Sequence, residues 1–152
     1  MYRKSNQSEL SPEKFELPVS IKLSSENRWV IMAELIPWSD FEEEYAQNFS
    51  EDQGAPAKSF RMALGALIIK EKLGTSDKET VEQIKENPYL QYFLGMSDYS
   101  NEAPFDASML VHFRERIDKN LVNKINQKMV KNLREKEEEE TEKKTKKKKS
   151  SQ

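Results

Sequence analysis

The most apolar part of the chain is one segment, residues 57–73, whose apolar side chains are spread around the whole helix circumference. Gly54 and Pro56 precede it and Gly74 follows it, and residues of these types favour breaks in regular structure. A helix without a continuous polar face has to be covered by other elements. The segment therefore predicts a central helix that ends at Gly74 and is surrounded by further helices.

The segments on either side place their apolar side chains at helical spacing, and each begins at residues that can cap a helix N-terminus. Pro37 and Gly95 are expected to end two of these helices. The predicted N-terminal signals are Ser24 and Ser25, Ser39 with Glu42, Ser76 with Glu79, Asn87 with Pro88, and Asp106. The predicted inward positions are Trp29, Met32, Ala33 and Ile36, then Phe41, Tyr45 and Phe49, then Val81 and Ile84, then Leu110, Phe113, Ile117 and Leu121, and last Val122, Ile125, Met129 and Leu133.

Residues 17–23 differ, because apolar and polar side chains alternate there with the period of a strand. No second run of this kind exists to pair with it, so we expect an extended segment laid on the core. The predicted fold class is all-α: a compact bundle of about six to seven short helices with helix-turn-helix-like elements, plus a disordered charged C-terminal tail.

The apolar residues end at Leu133, which divides the chain into regions of different charge. Residues 134–152 hold 8 basic and 6 acidic residues and no apolar one, so the net charge of −2 combines −4 in residues 1–133 with +2 in the tail. We predict a flexible N-terminus over residues 1–16, a helical domain over 17–133 and a low-complexity tail over 134–152.

Several classes of function lack their residues here. The chain has no Cys, one His, no HExxH motif, and neither a GxGxxG motif nor a P-loop among its four glycines. No apolar run reaches the length of a membrane span, and the N-terminus lacks the apolar core of a signal peptide. We therefore expect an intracellular protein without metal, cofactor, small-molecule substrate or catalysis of its own.

One polar stripe has the chemistry of a DNA contact. Ser108, His112, Arg116 and Lys119 recur at helical spacing as a second, polar stripe, and Arg114 stands near the edge of the predicted buried face. Arginine and lysine donate hydrogen bonds to guanine or phosphate, and serine contacts either. An ordinary solvated face is the alternative, favoured by Glu115 and by the net −4 of the body. The aromatic residues between positions 89 and 94 are interpreted as core.

Three stretches resemble the N-terminal domain of InsH-type bacterial insertion-sequence transposases. Residues 61–70 are similar to that family's central helix, and residues 76–95 follow it in the expected order. Residues 104–117 are similar to its closing motif, which ends in Phe-Arg-x-Arg followed by Ile or Leu. The resemblance covers roughly residues 17–133.

The resemblance implies a helical domain that engages the terminal inverted repeats of the element and precedes a DDE-type catalytic domain. That catalytic domain, in which two Asp and one Glu hold divalent metal ions, is absent from this sequence. The resemblance raises the expectation of DNA binding, which we assign to Ser108, His112, Arg114, Arg116 and Lys119. Non-specific phosphate contacts are assigned to Lys143, Lys144, Lys146, Lys147, Lys148 and Lys149.

Two other interpretations stay open at this point. The amphipathic residues 122–133, at near-heptad spacing, are compatible with a helical protein–protein module, such as a homodimer contact. The chain is also compatible with a truncated transposase, a fragment or a non-functional remnant. In each case the expected location is the bacterial cytoplasm.

Overall fold

The computed structural model describes residues 11–17, 22–47 and 58–150, with the backbone alone for residues 148–150. These residues form seven α-helices and one 3-10 turn, Trp38–Phe41, so the predicted all-α class is confirmed. The β-type pairing found among them is a single bridge between Glu16 and Asp98. The helices are α1 (Arg28–Leu35), α2 (Glu42–Ala46), α3 (Phe60–Leu73), α4 (Asp77–Glu86), α5 (Pro88–Phe93), α6 (Met109–Arg116) and α7 (Lys119–Ser150).

Helix α3 is the central element, as its apolar composition predicts. It begins after Ser59, whose hydroxyl accepts a hydrogen bond from the Met62 N–H at 3.1 Å. It ends at Gly74, which takes the left-handed conformation with φ 65°. Helices α2, α4, α5 and α6 all pack against it. Position 57, where the predicted segment begins, lies outside the described residues.

The aromatic residues of α5 belong to the core, which confirms their interpretation from sequence. The Phe93 ring is fully buried and meets the Trp29 and Trp38 rings edge to face, with centroids 5.2 and 5.5 Å away. Tyr92 is 3% exposed and meets Phe15 in the same way at 6.0 Å. Each edge-to-face pair adds about 0.5–1.5 kcal/mol beyond the burial of its apolar area.

An arginine lies inside this aromatic core. Arg61 of α3 is 4% exposed and donates hydrogen bonds to the backbone carbonyls of Tyr92 and Phe93, both at 3.0 Å. Its guanidinium also lies over the Trp38 ring, with the ring centroid 5.1 Å away. Burial lowers the pKa of Arg61 from its usual value, and the carbonyls at the end of α5 satisfy the buried donors.

Three of the predicted helix signals match the structure. The Ser76 hydroxyl accepts from the Glu79 N–H at 3.1 Å and caps α4. The Asn87 side chain accepts from the Tyr89 N–H at 2.9 Å, and Pro88 is the first residue of α5. After α5 the chain turns at Gly95, with φ 87°.

Two other predicted N-terminal signals are wrong. Helix α1 is capped by Asn27, which accepts from the Trp29 N–H at 2.8 Å, whereas the Ser24 hydroxyl bonds Glu26 in the preceding turn. Ser39 lies inside the 3-10 turn and caps nothing. The Trp38 indole is the reason, because its N–H donates to the Ala33 carbonyl at 2.9 Å and holds the turn against the end of α1. Phe49 lies outside the described residues.

The alternating segment is described only at its two ends, since residues 18–21 lie outside the described residues. Leu23 is buried and Leu17 packs partly against the core, as an extended segment laid on the core requires. Backbone pairing occurs just before the segment, where the Tyr99 N–H donates to the Glu16 carbonyl at 2.9 Å.

The charged C-terminal region is helical, whereas the composition of the sequence predicts disorder there. Helix α7 continues without a break from Lys119 to Ser150, and the side chains from position 134 to 147 are all exposed. Glutamate, lysine and arginine have high helix propensity, and Glu139 and Glu140 stand four residues before Lys143 and Lys144. This order of charges stabilises a helix even without tertiary contacts.

Candidate nucleic-acid interface

The predicted contact residues lie on α6 and at the start of α7. The inward positions are confirmed, because Leu110, Phe113, Ile117 and Leu121 are all buried. The predicted cap at Asp106 is wrong, since α6 begins at Met109. The Asp106 carboxylate instead closes the preceding turn by accepting from the Ala107 N–H at 2.9 Å and from the Ser108 hydroxyl at 3.1 Å.

The predicted stripe is divided between two helices. Ile117 is extended, with φ −108° and ψ 92°, and ends α6. The Asp118 carboxylate then accepts from the Leu121 N–H at 2.8 Å and starts α7. Lys119 is therefore the first residue of a new helix and does not continue the row of Ser108, His112 and Arg116.

Arg114 is committed to a contact within the chain. Its guanidinium forms a bidentate pair with the Asp77 carboxylate at the start of α4, with N–O distances of 2.9 and 3.0 Å. Lys70 of α3 lies 3.3 Å from the same carboxylate. The hydrogen bond from Arg114 holds the pKa of Asp77 below its usual value, and the pair ties α6 to the α3–α4 turn.

The positive charge of Arg116 acts on Tyr45, a fully buried side chain of α2. Burial raises the pKa of Tyr45, and the charge of Arg116 acts in the opposite direction. Arg116 itself is half-buried, so only part of its guanidinium faces solvent.

The other three predicted residues are exposed. His112 has a side-chain exposure of 54% and lies 3.8 Å from Glu115, one turn away on the same helix. Ser108 and Lys119 are exposed as well. The predicted phosphate-contacting lysines whose side chains are described are also exposed, namely Lys143, Lys144, Lys146 and Lys147. The side chains of Lys148 and Lys149 lie outside the described residues.

Sequence reasoning missed the strongest concentration of positive charge outside the lysines of residues 143–149. Residues 109–134 contain 7 basic and 2 acidic residues, whereas residues 1–108 contain 11 basic and 19 acidic ones. The signal was present in the sequence, because residues 119–134 carry five basic side chains and no acidic one. The net charge of residues 1–133 hides this signal, because the acidic residues 1–108 outweigh it.

Metal sites and membrane spans are not found in the part of the chain that the structure describes. None of the groups of histidine and acidic side chains in residues 11–17, 22–47 and 58–150 could hold a metal ion. No helix within these ranges combines the length and apolar character needed to cross a membrane.

The chain matches a family model over most of its helical part. Residues 18–116 match the model described as Transposase domain (DUF772), which is well over half of the chain. The chain belongs to the transposase-domain family DUF772. The matched residues run through α1–α6 and end at Arg116, so α7 follows the matched part of this transposase domain.

A curated relative of this transposase-domain chain is the uncharacterized protein ORF8 in the nfe locus of Rhizobium meliloti. The two are 40% identical over 88 residues, which are 58% of this chain and 42% of that protein. The chain therefore spans less than half the length of the curated relative it matches. No solved structure matches the chain.

Proposed function

We propose that this chain is the DNA-binding part of an insertion-sequence transposase, and that it engages the element ends without cleaving or joining DNA itself. The observation that carries the proposal is the separation of charge along a transposase-domain fold. Residues 109–134 hold a net charge of +5, and residues 1–108 hold −8. Neutralisation of phosphates supplies most of the affinity for DNA, so a basic region on an acidic protein fixes which side faces the duplex.

The charge of the helices also favours α6 and α7 over α4 as the DNA-contacting elements. Helices α3 and α4 are joined by residues 74–76, a short glycine-containing connection of the helix-turn-helix type. In such a motif the second helix enters the major groove. Helix α4 carries four acidic and two basic residues, so its charge opposes that role.

Fluorescence anisotropy of the full chain tests the proposal. The probes are one labelled duplex that carries the terminal DNA flanking the gene and one scrambled duplex of the same composition. We expect binding at low salt that weakens steeply as salt is added, with the element-end duplex bound more tightly. Absence of binding to both duplexes at low salt would contradict the proposal.

The absence of catalysis is a separate part of the proposal. In the family that the sequence resembles, divalent metal belongs to the catalytic domain, so we propose no cofactor for this chain. Incubation of the chain with supercoiled plasmid and Mg²⁺ or Mn²⁺ should leave the plasmid intact. Nicked or linear products would overturn this part. We expect the chain in the bacterial cytoplasm, where the element DNA is.

A second candidate function is self-association through α7. Val130 and Leu133 are 48% and 38% exposed, although their neighbours Ile125 and Met129 pack on the core. These exposed apolar side chains are the observation that favours a helical dimer contact. Light scattering at increasing concentration tests it, since a homodimer requires the mass to double. A mass that stays at 17.8 kDa contradicts it.

A further inference from the structure

The first half of α7 has a composition unlike that of helices α1–α6. Its residues 119–134 include five amide side chains and five basic ones, and no carboxylate. The acidic residues begin directly afterwards, at Glu135. The amide side chains are Asn120, Asn123, Asn126, Gln127 and Asn132, and the basic ones are Lys119, Lys124, Lys128, Lys131 and Arg134.

The packing of α7 decides which of these side chains face solvent. Leu121 and Ile125 are 2% and 3% exposed and fix the inner face of the helix against the core. The opposite face is formed by positions at i, i+3, i+7, i+11 and i+14, which lie in one row on an α-helix. This row, named here the amide–cation stripe, is exposed throughout and consists of Asn120, Asn123, Gln127, Lys131 and Arg134.

Lys124 stands beside the stripe rather than on it. Its ammonium group lies 2.7 Å from the Glu44 carboxylate of α2, and that contact raises the pKa of Lys124. The stripe itself carries positive charge, and residues 119–134 of its helix contain no acidic side chain.

The side chains of the stripe are those that read base edges in the major groove of B-form DNA. Asparagine and glutamine form paired hydrogen bonds with adenine, and arginine and lysine do so with guanine. The stripe is about 21 Å long at a rise of about 1.5 Å per residue. That length covers a major groove about 12 Å wide together with the phosphates on both sides.

We propose that α7 lies in the major groove of the element-end duplex, with the amide–cation stripe facing the bases. This inference rests on the proposed function and names the surface that performs it. The stripe on α7 takes the place of α6 as the reading surface, because Arg114 of α6 pairs with Asp77 and Arg116 is half-buried. The glutamates that begin at position 135 repel phosphates and set the end of the base-reading stripe.

Substitutions in the full chain separate the two helices. The stripe variant is Asn123→Ala with Gln127→Ala, and the α6 variant is Ser108→Ala with His112→Ala. Asn101→Ala with Lys78→Gln, two exposed positions outside helices α6 and α7, is the control. We expect the stripe variant to bind the element-end duplex about tenfold or more weakly and the scrambled one almost as before. The other two variants should keep the discrimination of the unaltered chain.

A change in the DNA tests the groove directly. Replacing purines in the element-end duplex by their 7-deaza forms removes the N7 acceptor of the major groove and leaves the minor groove unchanged. The unaltered chain should bind this duplex more weakly, and the stripe variant, which keeps Lys131 and Arg134, should lose less affinity on the change. Equal binding of both duplexes by the unaltered chain would overturn major-groove reading.

The possible outcomes distinguish the two proposals. If the unaltered chain binds neither duplex, the proposed function fails. If it binds with discrimination and the α6 variant alone loses it, the assignment to α7 is overturned and the function stands. Equal competition by double-stranded RNA of the same sequence would also overturn the assignment, because the A-form major groove is too narrow for a helix. Unchanged urea midpoints for all variants show that the folds are intact.

Discussion

At the scale of single residues, charged side chains of this chain hold the helices together as well as facing solvent. Arg61 is the clearest case, since it is buried in the aromatic core and binds two backbone carbonyls there. Asp77 is a second case, because it joins α4 to α3 and α6 through Lys70 and Arg114. The sequence alone favoured Arg114 as a DNA contact. Its partner Asp77 is distant in the sequence, so local spacing does not reveal the pair.

Arg61→Met should destabilise the fold strongly. The substitution keeps most of the side-chain volume but leaves the Tyr92 and Phe93 carbonyls without their donors inside the core. Loss of hydrogen bonds from a charged group predicts a decrease of about 3 kcal/mol in the free energy of unfolding. Urea denaturation followed by tryptophan fluorescence measures it. Arg28→Met, at an exposed arginine beside Trp29, is the control and should cost less than about 1 kcal/mol.

Asp77→Asn should remove a pH-dependent part of the stability. Because Arg114 lowers the folded pKa of Asp77, this stability is present above the unfolded pKa of about 3.9 and is lost as pH falls through the lower folded value. The variant should therefore be less stable by about 0.5–1 kcal/mol at neutral pH, with a difference that shrinks in acid. Urea midpoints from neutral pH down to acid measure it, with Glu86→Gln as control. A stability difference that does not change with pH would contradict its assignment to the charge of Asp77.

At the scale of secondary-structure elements, local cap signals predicted some helix starts and not others. Ser76 with Glu79 and Asn87 with Pro88 combine two signals each, and both are confirmed. Ser39 with Glu42 also combines two signals but does not cap, because Trp38 is buried beside it, and the single signal Asp106 closes a turn before α6. The break at Ile117 was missed because no glycine or proline marks it.

Ser76 and Ser108, two of the serines at helix starts, provide a matched test of capping. Ser76 accepts a hydrogen bond from the backbone of α4, whereas Ser108 precedes α6 without a side-chain capping bond. Ser76→Ala should therefore lower the free energy of unfolding by about 1 kcal/mol. Ser108→Ala should lower it by less than about 0.5 kcal/mol. Equal losses in urea denaturation would mean that the Asp106–Ser108 turn contributes as much as the cap of α4.

The second half of α7 should be a helix whose stability is independent of the core. Thr141 donates to the Glu137 carbonyl within the helix, and every side chain from position 134 to 147 is exposed. Thr141→Pro should reduce the helical signal in far-ultraviolet circular dichroism and leave the urea midpoint of the core unchanged. Thr141→Ala is the control and should keep the signal. An unchanged signal in the proline variant would support the disordered tail expected from composition.

At the scale of the whole molecule, charge divides the chain more sharply than secondary structure does. The all-α class and the central α3 followed from apolar periodicity, because that pattern reports burial directly. The choice of α7 over α6 did not follow, because the inner face of α7 and the pairing of Arg114 with Asp77 depend on tertiary packing. Packing thus moves the candidate DNA surface from α6 towards α7.

The lysines at the end of α7 should contribute affinity without specificity. Replacing Lys143, Lys144, Lys146, Lys147, Lys148 and Lys149 by Gln should weaken binding to element-end and scrambled duplexes by the same factor. The slope of log affinity against log salt should become less negative by about 0.9 for each phosphate that is no longer neutralised. Anisotropy titrations at several salt concentrations measure both quantities. A change in the ratio of the two affinities would contradict a purely non-specific role for these lysines, because only base contacts distinguish one DNA sequence from another.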